Sequence, residues 1–289
     1  MRRLFLTITD SMAGRTVYSL LKGELKLSSS LIARCKQIEG GITLDGMSVH
    51  TNIRVCSGQL LGATIGETLT PSGPPPYEIL FEDEDILIIN KPAGAAAHGS
   101  RYDDSIESIE QSINAYFGSA QAFHPVSRLD RGTTGIMTIA KNGYMHERLT
   151  ESLHSNNFIR TYIGIVHGNI LEKKGRINLP IGRVDGSAIK RIVRADGAYA
   201  ETGYEVIKEI NGLSLVRFVL QTGRTHQIRV HMSAIGHPLA GDWLYGTEEP
   251  ALISRPALHS STLEFIHPLS YKKIRISCEM PEDMRKLIY

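Results

Sequence analysis

The proline cluster Pro71-Ser-Gly-Pro-Pro-Pro76 constrains the fold of this chain more than any other feature. Clustered prolines lack the amide hydrogen and have a restricted φ, so they continue neither a helix nor a central strand and form an extended spacer. A chain of 289 residues is long enough for two domains. We therefore predict a small module over residues 1–70, a linker over residues 71–76 and a larger domain over residues 77–289.

The segment before the proline cluster has the pattern of a small α+β module. Alternation at the N-terminus predicts a strand, and apolar residues at helical spacing predict two helices within residues 14–37. The serines at positions 28–30 suit the N-cap of the second helix, and Asp45-Gly46 suits a two-residue hairpin turn. The polar faces of the two helices carry the basic residues Lys22, Lys26, Arg34 and Lys36.

Positive charge is concentrated at the N-terminus, although the whole chain is nearly neutral at +2. The first 36 residues hold seven Lys or Arg and two Asp or Glu, an excess of +5. This asymmetry indicates an acidic partner for the module, with an ordinary solvated basic face as the alternative.

The cysteine content and the hydropathy of the chain limit the classes of protein to which it can belong. Cys35, Cys56 and Cys278 are few, odd in number and scattered, which indicates a reducing compartment and gives no disulfide framework or metal-ligand spacing. No apolar run approaches membrane-spanning length, and the N-terminus lacks the pattern of a signal peptide. We therefore expect a cytoplasmic protein that does not associate with membranes.

The larger domain shows mixed helix and strand patterns. Lys91 follows an apolar run and is expected in an exposed turn, with contact to a phosphate as the alternative. Residues 176–200 contain Pro180, Gly182 and several basic residues, and we expect them to be irregular. Residues near His226 alternate like a strand. The other predicted elements are strands at 86–89, 136–140, 158–168, 202–206 and 213–220, and helices at 103–118 and 143–156.

A short polar turn before the strand at 136–140 carries the main candidate for chemistry. Asp130 lies between Arg128 and Arg131 in sequence, and nearby positive charge should keep its carboxylate ionised. An ionised carboxylate on a loop beside a rigid strand can act as a nucleophile. Asp and Gly are also ordinary hairpin residues, so the residues alone leave a plain structural turn open.

The segment Arg128-Leu-Asp-Arg-Gly-Thr-Thr-Gly135 resembles the signature of the RluA-type pseudouridine synthases, which isomerise uridine in RNA. Further segments resemble other motifs of this family and occur in the same order, so that the resemblance covers nearly all of residues 80–280. They are EDILIINKPAG at 84–94, FIRTYIGIVHG at 158–168, TGRTHQIRVH at 222–231, GHPLAGD at 236–242 and LHSSTLEFIHP at 258–268.

The resemblance implies an α+β catalytic domain with a mixed, mostly antiparallel sheet and a central cleft. The N-terminal segment is similar to the small αL RNA-binding module of ribosomal proteins, with a plain structural cap as the alternative. The expected partner is RNA, with ribosomal RNA favoured over transfer RNA. Isomerisation of uridine conserves atoms, so no cofactor and no metal are expected.

The resemblance also implies roles for particular residues. Asp130 matches the catalytic carboxylate, Arg229 its cationic partner, and Tyr162 the aromatic residue on which the base stacks. Arg128 could fill the gap left by the extruded base or bind its phosphate, and Arg131 is a further substrate-binding candidate. Asp130 could attack ribose C1′ or remove a ribose proton, and the sequence does not separate these routes.

One position departs from the family pattern. The family usually has His directly before the motif arginine, and this chain has Ser127. The histidine has no direct part in the chemistry, so the departure concerns how the RNA is unstacked and leaves the prediction for Asp130 intact. His124 lies three residues earlier and is a candidate substitute.

Two other classes of protein are compatible with parts of the sequence. His226, His231 and His237 lie close in sequence and could suggest zinc, but a strand would turn the first two to opposite faces, and no HExxH motif is present. A non-catalytic RNA-binding or ribosome-assembly protein would keep the basic module without the chemistry. The joint presence of Asp130, Tyr162 and Arg229 favours the enzyme.

Overall fold

The computed structural model describes residues 1–99, 108–120, 122–153, 155 and 157–289. Residues 1–66 form a four-stranded sheet with two helices on it. The strand order is β1-β4-β2-β3, and all pairs are antiparallel. The elements are β1 Arg2–Thr7, α1 Val17–Gly23, α2 Ser29–Cys35, β2 Ile42–Leu44, β3 Met47–Ser48 and β4 Leu60–Gly66, with a 3₁₀ turn at Asp10–Met12.

Local signals explain these short elements. The side chain of Ser28 accepts a hydrogen bond from the amide of Leu31 and caps α2, as the serine-rich turn predicts. Thr16 caps α1 in the same way through the amide of Ser19. Asp45 and Gly46 both have positive φ, 50° and 85°, as a two-residue hairpin turn between β2 and β3 requires.

Residues 79–277 contribute a ten-stranded sheet whose main path runs β10-β13-β14-β9-β15-β8-β6-β5, with β16 on β15 and β7 on β8. The pairing of β15 with β8 is parallel and every other pair is antiparallel. The strands are β5 Ile79–Glu82, β6 Ile86–Lys91, β7 His124–Pro125, β8 Thr134–Ala140, β9 Phe158–His167, β10 Lys174–Asn178, β11 Ile181–Arg183, β12 Arg191–Val193, β13 Glu201–Ile210, β14 Leu213–Leu220, β15 Leu258–Ile266 and β16 Lys273–Ser277. The helices are α3 Ile109–Phe117, α4 Gly143–Ser152, α5 Gln227–Ala234 and α6 Glu282–Arg285.

This architecture confirms the predicted α+β class with a mixed, mostly antiparallel sheet. The predicted helix at 103–118 is present as α3, and its residues 103–107 lie outside the described part of the chain. The cleft across the sheet and the division of the chain at residues 71–76 stay predictions.

Two secondary-structure predictions for the larger domain were wrong. Residues 176–200 are not irregular, because β11 and β12 form a small hairpin within them. Residues 227–234 form α5 and not a strand. Every side chain from Gln227 to Met232 is buried, so this helix has no polar face to reveal its period, and the alternation of apolar residues misleads.

The N-terminal sheet contacts the larger domain beside α4. Tyr144 is buried in the apolar core of residues 1–66, and its hydroxyl donates to the carbonyl of Leu25 at 3.0 Å. Arg2 donates from Nε and Nη2 to the carboxylate of Asp85, the shortest distance being 2.8 Å. The module is therefore held against the domain by an apolar contact and an ion pair.

Among the described residues, no helix is long and apolar enough to cross a membrane.

Candidate active site

Asp130 lies in the turn between β7 and β8. Its carbonyl accepts from the amide of Thr133 at 3.0 Å, which closes the turn. Two residues further along, Gly135 has φ of 100°, and a Cβ there would lie 2.2 Å from the carbonyl oxygen of Ser260. Only glycine lets β8 approach β15 this closely, so the turn is held against the centre of the sheet.

Arg229 joins Asp130 to a second, buried carboxylate. Its Nε and Nη2 each donate to Asp242 at 2.8 Å, and Nη1 lies 3.4 Å from Oδ2 of Asp130. Burial alone would lower the pKa of Arg229, but the hydrogen bonds and charge of Asp242 outweigh it, and the pKa is raised. Asp242 is fully buried and Asp130 is partly open to solvent. The guanidinium is thus fixed by one carboxylate and offers its remaining edge to the other.

His226 lies on the other side of the Asp130 carboxylate. Its Nε2 is 3.8 Å from Oδ1 of Asp130, and its Nδ1 is 2.8 Å from the hydroxyl of Tyr245. The Tyr245 hydroxyl accepts from the amide of Arg191 and can donate its own proton to Nδ1, an arrangement that puts the proton of a neutral ring on Nε2. Burial lowers the pKa of His226, which keeps the ring neutral. Asp130 therefore faces a guanidinium and a neutral N–H donor.

Lys91 holds the Asp130 turn from within. Its side chain is fully buried, and Nζ donates to the carbonyls of Pro92, Arg131 and Thr133 at 2.8–3.2 Å. Burial lowers the pKa of Lys91 to about 8. The expectations of an exposed turn or of a phosphate contact were both wrong, because all three donors are used on backbone carbonyls.

Arg255 holds the same turn from the side of β15. Its Nη1 lies 3.1 Å from the carbonyl of Gly132, and its Nε and Nη2 donate to both carboxylate oxygens of Asp283 at 2.7 and 2.8 Å. Asp283 belongs to α6, so the end of the chain is tied to the turn that carries Asp130.

A cavity of about 390 Å³ opens over the Asp130 carboxylate. Tyr162 lies in its wall on β9 and is buried, between its sheet partners Phe218 and Ser260. Burial raises the pKa of Tyr162, and the negative charge of Asp130 adds to the effect, so the hydroxyl stays protonated. The other polar or charged side chains in the lining include Ser127, Arg128, Arg160, Arg224, His226 and Arg229.

The structure brings the three principal candidates, Asp130, Tyr162 and Arg229, to one cavity. Arg128 also lines it, with an exposed side chain that has no hydrogen-bond or ion-pair partner within the described ranges. Arg131 is not in the lining, and its Nε donates to the carbonyl of Gly94 at 2.9 Å. Arg131 is therefore the candidate that the geometry supports least.

The four N-terminal basic candidates are exposed and carry no ion pair within the part of the chain that the structure describes. None of them lines the cavity, and all four lie on or directly after α1 and α2 of the N-terminal segment. They are Lys22, Lys26, Arg34 and Lys36.

The histidines considered as zinc ligands have separate protein partners. His231 is buried between the hydroxyl of Thr202 and the carbonyl of Leu179, both at 2.9 Å. His237 contacts the carbonyl of His167 at 2.9 Å. The argument from opposite faces of a strand was wrong, since His231 lies on a helix. Across the described residues, no group of three His, Cys, Asp or Glu is placed to hold a metal ion.

Several residues of the site have no sequence signal of their own. Asp242 stands in the segment GHPLAGD, whose resemblance carries no role for the carboxylate. The sequence did not assign Lys91 and Arg255 to the Asp130 turn, because their partners there are backbone carbonyls 40 and 123 residues away. Lys91 ends β6, and a lysine at the end of a strand that the sequence predicts to be buried is the signal that could have found it.

Comparison with known proteins identifies the class of enzyme to which this chain belongs. A family model described as RNA pseudouridylate synthase matches residues 85–234. The chain belongs to this family, and its relatives show the RluA-like type that the motifs indicate. It is an RNA pseudouridine synthase that acts on uridine in RNA.

Relatives match over most of the chain. The uncharacterized RNA pseudouridine synthase YjbO of Bacillus subtilis is 39% identical over 273 residues, covering 92% of this chain and 96% of the relative. The ribosomal large subunit pseudouridine synthase D of Zymomonas mobilis is 36% identical over 228 residues, covering 73% and 72%. The solved structure of human RNA pseudouridylate synthase domain containing 1 has a TM-score of 0.58 at 24% identity, covering 73% of this chain and 86% of that one, which supports the fold.

Proposed function

We propose that this synthase modifies large-subunit ribosomal RNA and that Asp130 is its catalytic carboxylate. The observation that carries the proposal is the placement of Asp130 at the open side of a cavity, 3.4 Å from an arginine whose other edge is locked on Asp242. The ribosomal target is supported by the names of relatives, which include a ribosomal large subunit pseudouridine synthase D.

The reaction breaks the bond between ribose C1′ and uracil N1 and forms a bond between C1′ and C5. The hydrogen on C5 is released, and N1 gains a proton, so no electrons are exchanged with a cofactor. The base must leave its stack to reach a cavity of this depth. An ionised carboxylate beside the ribose can then attack C1′ or remove a ribose proton.

Arg229 and His226 give Asp130 its orientation in this scheme. Both present N–H groups to the carboxylate, at 3.4 and 3.8 Å, and both are held by partners outside the cavity. The distances leave room for the carboxylate to turn toward a ribose.

In this proposal, Tyr162 contacts the extruded base and Arg128 contacts the RNA around it. The buried ring of Tyr162 offers a flat surface in the cavity wall, and stacking of a base on an aromatic ring contributes about 1–3 kcal/mol. Arg128 is exposed at the rim and unpaired within the described ranges, so its guanidinium can fill the space left by the extruded base or bind a phosphate. Ser127 beside it is too short to fill such a gap.

The N-terminal module supplies affinity in this proposal. Its exposed basic residues present positive charge on a unit that is packed against the catalytic domain by Tyr144 and Arg2. Contacts with phosphates contribute affinity without sequence information.

Mapping of pseudouridine in total cellular RNA, with and without the protein, tests the substrate and the activity together. We expect loss of one or a few pseudouridines in large-subunit ribosomal RNA, and their return with the wild-type protein but not with Asp130→Asn. Loss confined to transfer RNA would contradict the ribosomal target. Unchanged pseudouridine in all RNA would contradict the proposed function.

A further inference from the structure

Arg160 is a buried arginine in the cavity wall that the scheme above leaves unused. It lies on β9, two residues before Tyr162, and is 7% exposed. Its Nε is fully buried without a hydrogen-bond partner, and the guanidinium makes no hydrogen bond or ion pair with any described residue. Buried charges in proteins are normally paired, and the described residues supply no partner for this one, so it calls for a partner from a ligand.

The guanidinium lies beside Gly223. A Cβ at Gly223 would lie 2.9 Å from Nη1 of Arg160, so with a larger residue there the end of the arginine would have to shift. The positive charge of Arg160 acts on the Tyr162 hydroxyl, where it opposes the rise in pKa that burial causes. Arg160 therefore lies close to Tyr162 and lines the same cavity as Asp130.

The other buried arginine of the cavity is satisfied by the protein. Arg229 has Asp242 and Asp130. The more exposed Arg224 donates from Nε to the carbonyl of Tyr199 at 2.9 Å. Asp130 is the one carboxylate among the described residues of the lining, and it faces Arg229 and His226. An anion brought by the ligand is the complement of the remaining guanidinium.

We propose that Arg160 binds a backbone phosphate of the extruded nucleotide and so fixes the depth at which the uridine sits against Tyr162. A guanidinium donates two parallel N–H groups, and two phosphate oxygens can accept both of them. A neutral base carbonyl has one oxygen and cannot offer this pair of acceptors. The inference rests on the proposed function, since it takes the occupant of the cavity to be an RNA nucleotide.

The test is equilibrium binding of oligonucleotides that span the uridine found by the mapping experiment. In all probes that uridine and its 5′ neighbour lack the 2′-hydroxyl, so that no neighbouring hydroxyl can cleave the neutral methylphosphonate linkages. Three probes are compared, with ordinary phosphates, with a methylphosphonate on the 5′ side of the uridine, and with one on the 3′ side. The proteins are the full-length wild type, Arg160→Gln, Arg160→Lys and the control Arg217→Gln.

We expect one of the two neutral linkages to weaken wild-type binding by roughly ten- to hundredfold, the range of a charge-assisted hydrogen bond. Arg160→Gln should bind the ordinary probe more weakly than the wild type by a similar factor. The same neutral linkage should not lower the affinity of Arg160→Gln any further. Arg160→Lys should keep part of the affinity. Arg217 lies on the adjacent β14, outside the cavity lining, so Arg217→Gln should respond to the linkage as the wild type does.

Two results would overturn the inference. One is a neutral linkage that lowers the RNA affinity of Arg160→Gln by as large a factor as it lowers the affinity of the wild type. The other is a wild type that is indifferent to both linkages, which would assign Arg160 to the base or to the fold. If Arg160→Gln does not fold, the same comparison is made with Arg160→Lys. Tritium release from the full ribosomal transcript by the wild type shows separately that the proposed function holds.

Discussion

Arg229 and Asp130 approach to 3.4 Å although 99 residues separate them in sequence. The guanidinium cannot turn away, because its Nε and Nη2 are bonded to the buried carboxylate of Asp242. The contact is longer than an ideal hydrogen bond, and the Asp130 carboxylate keeps solvent exposure. A fixed cation thus lies beside a carboxylate that lines the open cavity, where Asp130 can reach a ribose.

Tyr162 should act through its ring. Tyr162→Phe keeps the stacking surface and should retain most of the activity, whereas Tyr162→Ala should lose roughly 1–3 kcal/mol of base binding and the corresponding rate. Single-turnover tritium release from RNA with 5-tritiated uridine measures both variants. A Phe variant as inactive as the Ala variant would assign the essential part to the hydroxyl, which lies near the charges of Asp130 and Arg160.

Lys91 should be needed to hold the Asp130 turn. Methionine has a similar length to lysine, but Lys91→Met leaves three backbone carbonyls without their donor. Each buried acceptor left unpaired lowers the free energy of unfolding by about 1–3 kcal/mol. We expect a lower single-turnover rate and a lower free energy of unfolding in urea, with little change in RNA affinity. The exposed lysine variant Lys272→Met is the control. A Lys91→Met protein with the wild-type rate would show that the turn holds its shape unaided.

The charge of the N-terminal module should set the salt dependence of RNA binding. Substitution of Lys22, Lys26, Arg34 and Lys36 by Gln should flatten the slope of log affinity against log salt, by up to about 0.7–0.9 for each phosphate that the module no longer neutralises. The residues are exposed, so the fold should be unaffected. A control protein carries Gln at Lys174, Lys272, Arg275 and Lys286, which are also exposed but lie in the larger domain. Equal slopes for the two quadruple variants would make the module a structural cap.

Buried histidines should make the protein less stable in mild acid. Burial lowers the pKa of His226, His231 and His259 below the ordinary histidine value of 6.5. The unfolded chain therefore takes up protons below pH 6.5 that the folded chain refuses, and stability falls by about 1.4 kcal/mol per pH unit for each such group. The decrease stops once pH is below the folded pKa. Urea unfolding between pH 7.5 and about 5 measures this slope.

His259→Gln should reduce that slope by about one proton, because the glutamine does not titrate. His50 is exposed, so His50→Gln should leave the slope unchanged. Equal slopes in the wild type and His259→Gln would mean that His259 titrates alike in the folded and unfolded chain.

Much of the fold could be predicted from local patterns. The strand at 136–140, the capped helix after the serines and the hairpin at Asp45-Gly46 follow from periodicity and turn chemistry, which act over a few residues. Helix α5 could not be predicted, because tertiary burial on all its sides removes the polar face that marks a helix.

The candidate site likewise has a part that the sequence could predict and a part that it could not. Motif resemblance identified Asp130 and Arg229, whereas the contact of Arg255 with the carbonyl of Gly132 depends on the packing of distant segments.

The role of Asp130 is tested most directly by tritium release from 5-tritiated ribosomal RNA, since the new bond at C5 displaces that hydrogen. Asp130→Asn keeps the shape of the side chain and removes its charge, so it should leave RNA affinity and folding near the wild type. Loss of the reacting carboxylate should lower the rate by orders of magnitude. Glu279→Gln removes a highly exposed carboxylate and should release tritium at the wild-type rate. Release by Asp130→Asn at a rate near the wild type would contradict the account.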